Sequence, residues 1–247
     1  MRLLNVLSLI AIVFIFNSCQ KGIPGGDPVI PISNKIKTYT EDVTSGGSHN
    51  VVTFNVAYDA NDRIISLISA ASPGDRFEFQ YSNANYTLDI YGSNQLTIHE
   101  VVFLNSNSMV DSTFQYNDTN DSLTEKYIYN TSRQLITLKS YEYSKATGSV
   151  LDNVENYTYD NGGNIIKLAD NYSVTTYDYY TNLAGNVVAL YPYFPVPKNF
   201  VKTTTNVDGG TTVTLNHTYT FDSVNRLSTE KIVYDNNEVV IKSYTYY

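Results

Sequence analysis

The chain of 247 residues sets 16 Lys and Arg against 24 Asp and Glu, a formal charge of −8. That balance excludes the phosphate-neutralising surface that nucleic acid requires as a partner, and it disfavours electrostatic adhesion to anionic lipid headgroups. With 23 Tyr and 10 Phe but a single Cys, the fold has no internal disulfide and rests on burial and strand pairing alone.

At the N-terminus, Arg2 precedes an apolar run from Leu3 to Phe16 that only Asn5 and Ser8 interrupt. A run of that length predicts a signal peptide over residues 1–18 rather than a membrane span. Ser18 and Cys19 follow, and the junction resembles a bacterial lipoprotein signal, although Phe16 and Asn17 depart from its stricter motif. The resemblance implies that Cys19 is the lipid attachment residue, that the membrane is reached through that lipid, and that the protein lies in the cell envelope as an outer-membrane lipoprotein. Residues 19–34 contain Pro24, Pro28 and Pro31 with Gly22, Gly25 and Gly26, and they read as a lipid-anchored flexible linker.

Residues 35–247 read as one all-β domain. Val52, Phe54, Val56 and Tyr58 alternate with Thr53, Asn55 and Ala57, and Phe77, Phe79 and Tyr81 alternate with Arg76, Glu78 and Gln80. Period two of this kind marks strands with one buried and one wet face. Turn signals at SGGSHN (from Ser45), SPGD (Ser72), YGSN (Tyr91), NGGN (Asn161) and VDGG (Val207) separate the runs. No stretch has the length or 3.6-residue period of a crossover helix, so neighbours pair antiparallel, in an up-and-down meander of about 14–16 strands. A sheet of that width must close to remove its edges, which predicts a barrel; the alternative is a two-layer β-sandwich. Glu78, Lys126, Lys139 and Glu142 on the polar faces argue against an integral membrane barrel.

An aromatic residue, Asp or Asn, a polar turn and an apolar strand start recur along the domain. The clear copies begin at Tyr58 (YDANDRIISL), Tyr129 (YNTSRQLITL), Tyr159 (YDNGGNIIKL) and Phe221 (FDSVNRLSTE), the looser ones at Tyr116, Tyr180 and Tyr234. These copies resemble the tyrosine–aspartate (YD) repeats of bacterial wall-associated and toxin-shell proteins. Together with the N-terminus, the chain resembles a Bacteroidetes-type lipoprotein family of unknown function with a porin-like β fold. The resemblance implies an anchored, exported, barrel-like meander and carries over no catalytic residue.

Searching for chemistry yields little. His49, His99 and His217 lack partners at metal-ligand spacing, so no metal or other cofactor is expected. No nucleophile elbow, HExxH or P-loop occurs, and most of Asp59, Asp160, Asp208, Asp222 and Asp235 fall in turns where the side chain caps its own backbone. The run NDTNDS from Asn117 lacks the Gly and distal Glu of an EF-hand loop. The segment YPYFPVP, residues 191–197, breaks the repeat; Tyr191, Tyr193 and Phe194 there either cap the barrel or form a platform for a sugar or peptide. The expectation is a non-enzymatic binding protein whose partner is a glycan or an envelope protein. A purely structural or assembly lipoprotein, and a glycoside hydrolase with a hidden carboxylate pair, are the alternatives.

Overall fold

A computed structural model of the chain describes residues 34–117, 122–144, 148–184 and 198–247. Sixteen strands follow one another: β1 (Ile36–Ser45), β2 (Ser48–Tyr58), β3 (Ile64–Ser69), β4 (Arg76–Tyr81), β5 (Asn85–Gly92), β6 (Gln95–Leu104), β7 (Val110–Asn117) and β8 (Ser122–Tyr129) form the first half. The second half comprises β9 (Leu135–Ser144), β10 (Gly148–Tyr159), β11 (Ile165–Ala169), β12 (Ser173–Ala184), β13 (Asn199–Asp208), β14 (Thr211–Phe221), β15 (Leu227–Tyr234) and β16 (Val239–Tyr246). Each strand pairs antiparallel with its sequence neighbours, and β1 pairs with β16, which closes the barrel and excludes the sandwich.

The two ends are built from different turns. At the end where β1 begins, here called the base, five connections repeat one geometry. In each, the first residue's N–H donates to the fifth residue's carbonyl and the fourth residue's N–H to the first residue's carbonyl: residues 59–63, 105–109, 130–134, 160–164 and 222–226. The fourth residue takes positive φ in all five: Asp62, Ser108, Arg133, Gly163 and Asn225. The leading Asp or Asn side chain accepts from the backbone N–H of the fifth residue, as Asp59 does from Arg63, Asn105 from Met109, Asn130 from Gln134, Asp160 from Asn164 and Asp222 from Arg226. This is a type I turn closed by a left-handed residue, and it places a bulge in each adjoining ladder. The four clear aromatic–Asp/Asn copies are four of these turns.

A second device locks the base. Tyr81, Tyr159 and Tyr246, at the ends of strands descending to the base, and Tyr179 within β12 donate their hydroxyls to the opening carbonyls of the preceding strands, at Ile64, Leu135, Leu227 and Ile165 respectively. Tyr58 bonds the backbone of Ile36 in the same way. Arg63 and Arg226, one residue before two of those carbonyls, stack over the rings of Tyr81 and Tyr246 at 4.3 Å and 4.4 Å. At the opposite end, the rim, three connections are two-residue hairpins, with positive φ at both Gly46 and Gly47, Ser93 and Asn94, and Gly209 and Gly210.

Two looser copies do not follow the pattern. Tyr180 lies inside β12, not at its end, and at the rim Tyr234 itself takes the leading place of a turn over residues 234–238 with the same backbone bonds and positive φ at Asn237, so that Asp235 comes second and accepts from Thr214 N. The turn after Tyr116 lies outside the described residues. A copy that sequence reading passed over is Leu104–Asn105, where Leu stands in the aromatic's place.

The interior is packed. One continuous cluster joins Ile36 and Tyr39 of β1, Phe77 and Phe79 of β4, Tyr86 and Leu88 of β5, Tyr127 of β8, Leu138 of β9, Phe200 of β13 and Tyr244 of β16. Tyrosine suits this role because its ring fills a wide barrel while its hydroxyl finds a partner. Burial fades toward the rim, where Val51 and Val150 are exposed.

Candidate functional site: two walls of the barrel

Residues 1–18, where the sequence predicts a signal peptide, Cys19, and the segment with Tyr191, Tyr193 and Phe194 lie outside the described residues, as do most of the residues in NDTNDS. Within the described residues, polar chemistry gathers at mid-height on the inner face, in two sets on opposite walls.

The first set belongs to β14, β15, β16 and β1. Register places Glu230 opposite Lys242 and Tyr219, and Lys242 opposite Glu41. Lys242 Nζ lies 3.5 Å from Glu230 and His217 Nδ1 lies 3.0 Å from it, while Thr204 meets the other ring nitrogen of His217 at 3.1 Å. Tyr219 and Tyr39 donate to Glu230 and Glu41 at 3.3 Å and 2.8 Å. Burial pushes the Glu230 carboxyl up, but the Lys242 ammonium and the His217 hydrogen bond outweigh it and hold the group down at about 2. His217 is thus a structural partner, as its sequence setting implies.

The second set belongs to β6, β8 and β10. Glu100 shares the inner face with Ile98 and Val102, Glu125 with Tyr127, and Glu155 with Tyr157. Tyr127 and Thr113 donate to Glu125 at 2.7 Å and 3.2 Å, and Tyr157 donates to Glu155 at 2.7 Å. Among the described residues no cation pairs with any of the three. Burial, reinforced by the charge of Glu125, pushes Glu100 up to about 7, and burial also raises Glu155. Burial first and the adjacent carboxylates second push the phenols of Tyr127 and Tyr157 up, so both stay hydrogen-bond donors. On the same wall, the Tyr129 hydroxyl is buried with no partner among the described residues, unlike its counterparts at the base. The signal for the three glutamates was present in the alternation, since each interrupts an apolar face.

The outer faces differ as sharply. On β14 to β2 the outer face carries threonine pairs: Thr38 with Thr245 at 2.6 Å, Thr40 with Thr53 at 2.9 Å, and Thr220 with Thr229 at 2.7 Å. On β6 to β10 it carries aromatic rings and two lysines. Phe103 is 43% exposed, Phe114 38%, Tyr116 42% and Tyr143 45%. Lys126 and Lys139 stand directly opposite each other, and Lys126 reaches over the Tyr141 ring at 5.8 Å. Toward β5 this face ends at Asp89, which bonds His99 Nδ1 at 2.5 Å, and the His99 ring packs on Tyr116 at 4.8 Å between centroids. The exposed His49 pairs with Asp42 at 2.7 Å. Among the described residues no group of three or more His, Cys, Asp or Glu is placed to hold a metal ion.

Two solved structures share this architecture. A porin-like protein from Bacteroides uniformis ATCC 8492 aligns with a TM-score of 0.64 and 11% identity, over 87% of this chain and 99% of that one. The fold is porin-like. A porin-like protein from Bacteroides vulgatus ATCC 8482 aligns with a TM-score of 0.53 and 12% identity, again over 87% and 99% of the two chains. No protein-family model and no curated protein matches the sequence.

Proposed function

We propose that this protein is an exported envelope lipoprotein whose barrel stands outside the bilayer and binds a glycan or envelope partner without catalysis. The observation that supports this reading is the sidedness of its chemistry. A barrel in lipid needs an apolar outer band and tolerates a polar lumen. Here the inner face holds the apolar cluster, while threonine pairs, Lys126, Lys139 and Lys231 occupy outer-face positions. Such a barrel resembles porins in topology and is inverted relative to them in solvent preference. Attachment then falls to the lipid on Cys19, with residues 19–34 as tether. Among the inner carboxylates, Glu41, Glu125, Glu155 and Glu230 each accept from a tyrosine hydroxyl, which suits a packed interior better than a catalytic pair.

Fractionation tests the reading. The native protein is expected in the membrane fraction, resistant to carbonate and released by detergent. Exchanging residues 1–19 for an ordinary cleavable secretory leader should release the whole barrel into the soluble fraction. Retention of that exchanged chain in membranes, with detergent still needed to extract it, would show that the strands themselves enter lipid.

A further inference from the structure

The outer face of β6 to β10 is the one part of the described surface where large rings and unpaired cations coincide. Phe103, Phe114, Tyr116 and Tyr143 project from β6, β7 and β9, each more than a third exposed. Lys126 and Lys139 face each other across the β8–β9 ladder, and neither joins an ion pair among the described residues. Directly opposed like charges repel, so folding alone gives no reason to place them together. Stacking rings beside two cations outside any ion pair make a surface complementary to a ligand with flat apolar faces and negative charge.

We propose that this face binds an anionic polysaccharide, the rings stacking on sugar faces and Lys126 and Lys139 engaging its carboxylates or sulfates. The proposal rests on the envelope-binding reading above and names its ligand class and place. Three observations favour this occupant over others. Adjacent strands are about 4.8 Å apart, near the length of one pyranose, and register sets Phe103, Lys126 and Lys139 in one row and Tyr116 and Tyr143 in another, so a chain lying across the strands along either row meets these groups at that repeat. The patch spans four of the sixteen strands of a closed barrel, β6 to β9, so it curves around the wall; a linear polymer can follow that curve, whereas a flat lipid surface touches only part of it. A second copy of this chain would bring lysine pair against lysine pair.

The test is affinity electrophoresis of the full-length lipidated protein in detergent, through gels containing polygalacturonate, chondroitin sulfate or neutral dextran. Retardation is expected from the two anionic polymers, weakening with added salt, and not from dextran. Lys126→Ser/Lys139→Ser and, separately, Phe103→Ser/Tyr143→Ser should each weaken binding at least about tenfold, with thermal melts unchanged; Lys126→Arg/Lys139→Arg should keep it. Should the aromatic variant melt early, the lysine variants decide alone. The proposal is overturned by absence of retardation, by retardation unchanged in the lysine variant, by equal retardation in dextran, or by loss of polysaccharide binding to micelles doped with anionic phospholipid. None of these outcomes alters the fractionation result, so a failure here and a failure of the envelope reading remain distinguishable.

Discussion

The wall made by β14, β15, β16 and β1 and the wall made by β6 to β10 lie across one interior and settle their polar groups in opposite ways. On the first, Glu230 is buried with Lys242 and His217 beside it, Tyr246 finds the Leu227 carbonyl, and threonines pair outside. On the second, among the described residues, Glu100, Glu125 and Glu155 are inside without cations and Tyr129 has no acceptor, and the lysines stand outside. The first wall is a self-satisfied scaffold. The second carries costs that folding does not require, and that is the wall with the exposed rings.

The largest effect should come from unbalancing the satisfied wall. Lys242→Met leaves Glu230 buried beside a weaker partner set and should cost about 3 kcal/mol in denaturant unfolding. Adding Glu230→Gln should recover much of that loss, because the charge that needed Lys242 is then gone. If the double variant is no more stable than the single, Lys242 matters for its packing and not for its charge. The pH dependence carries the same sign: the Glu230 carboxyl is held at about 2, below its ordinary 4.5. Its contribution is therefore full above about 4.5 and is lost as pH falls toward 2.

Glu100 should behave in reverse. Its carboxyl is raised to about 7 from an ordinary 4.5, so the folded state holds a proton that the unfolded chain has released. The destabilisation is absent below 4.5, grows as pH rises from 4.5 to 7, and is complete above that. Glu100→Gln should then raise stability on the order of 2 kcal/mol at pH 8 and leave it unchanged at pH 4. An equal gain at both pH values would locate the effect in shape rather than in charge.

The tyrosines at the base give a finer test. Tyr246→Phe and Tyr159→Phe each remove a hydroxyl bonded to a strand-opening carbonyl and should cost about 1 kcal/mol. Tyr129→Phe removes a buried hydroxyl that has no partner among the described residues and should be neutral or slightly stabilising. A loss at Tyr129 as large as at Tyr246 would mean that its hydroxyl meets an acceptor beyond the described residues.

Much of this architecture is legible in the residues. Alternation in Val52 to Tyr58 marks a half-buried strand, and Asp59, Asp160 and Asp222 announce turns because a short acceptor side chain can reach N–H groups a few residues ahead. The same grammar misled where it rested on the aromatic. Leu104 opens the same turn without a ring, because the turn is made by Asn105 and the left-handed Ser108. Tyr234 has the ring and the Asp, but there the tyrosine itself occupies the leading place of the turn, the Asp comes second, and the turn faces the rim. The two walls were less legible, because alternation says which residues point inward and not which of them meet. Whether Glu230 finds Lys242, or Glu100 finds only Glu125, depends on pairing register.

The lysines on the outer face provide the smallest effect and the sharpest separation of stability from binding. Lys139→Glu turns a directly opposed like-charge pair into an opposite pair with Lys126. On an exposed sheet surface such a change should stabilise by only about 0.3–0.5 kcal/mol, falling with added salt. Were the two lysines there for the fold, removing their repulsion should leave every property of the protein intact or improved. If they are there for an anionic ligand, the same substitution should raise the melting temperature slightly and abolish retardation by polygalacturonate. A substitution that helps folding and destroys binding identifies a cost carried for function, and Lys139 is the position on this barrel where those two readouts should move in opposite directions.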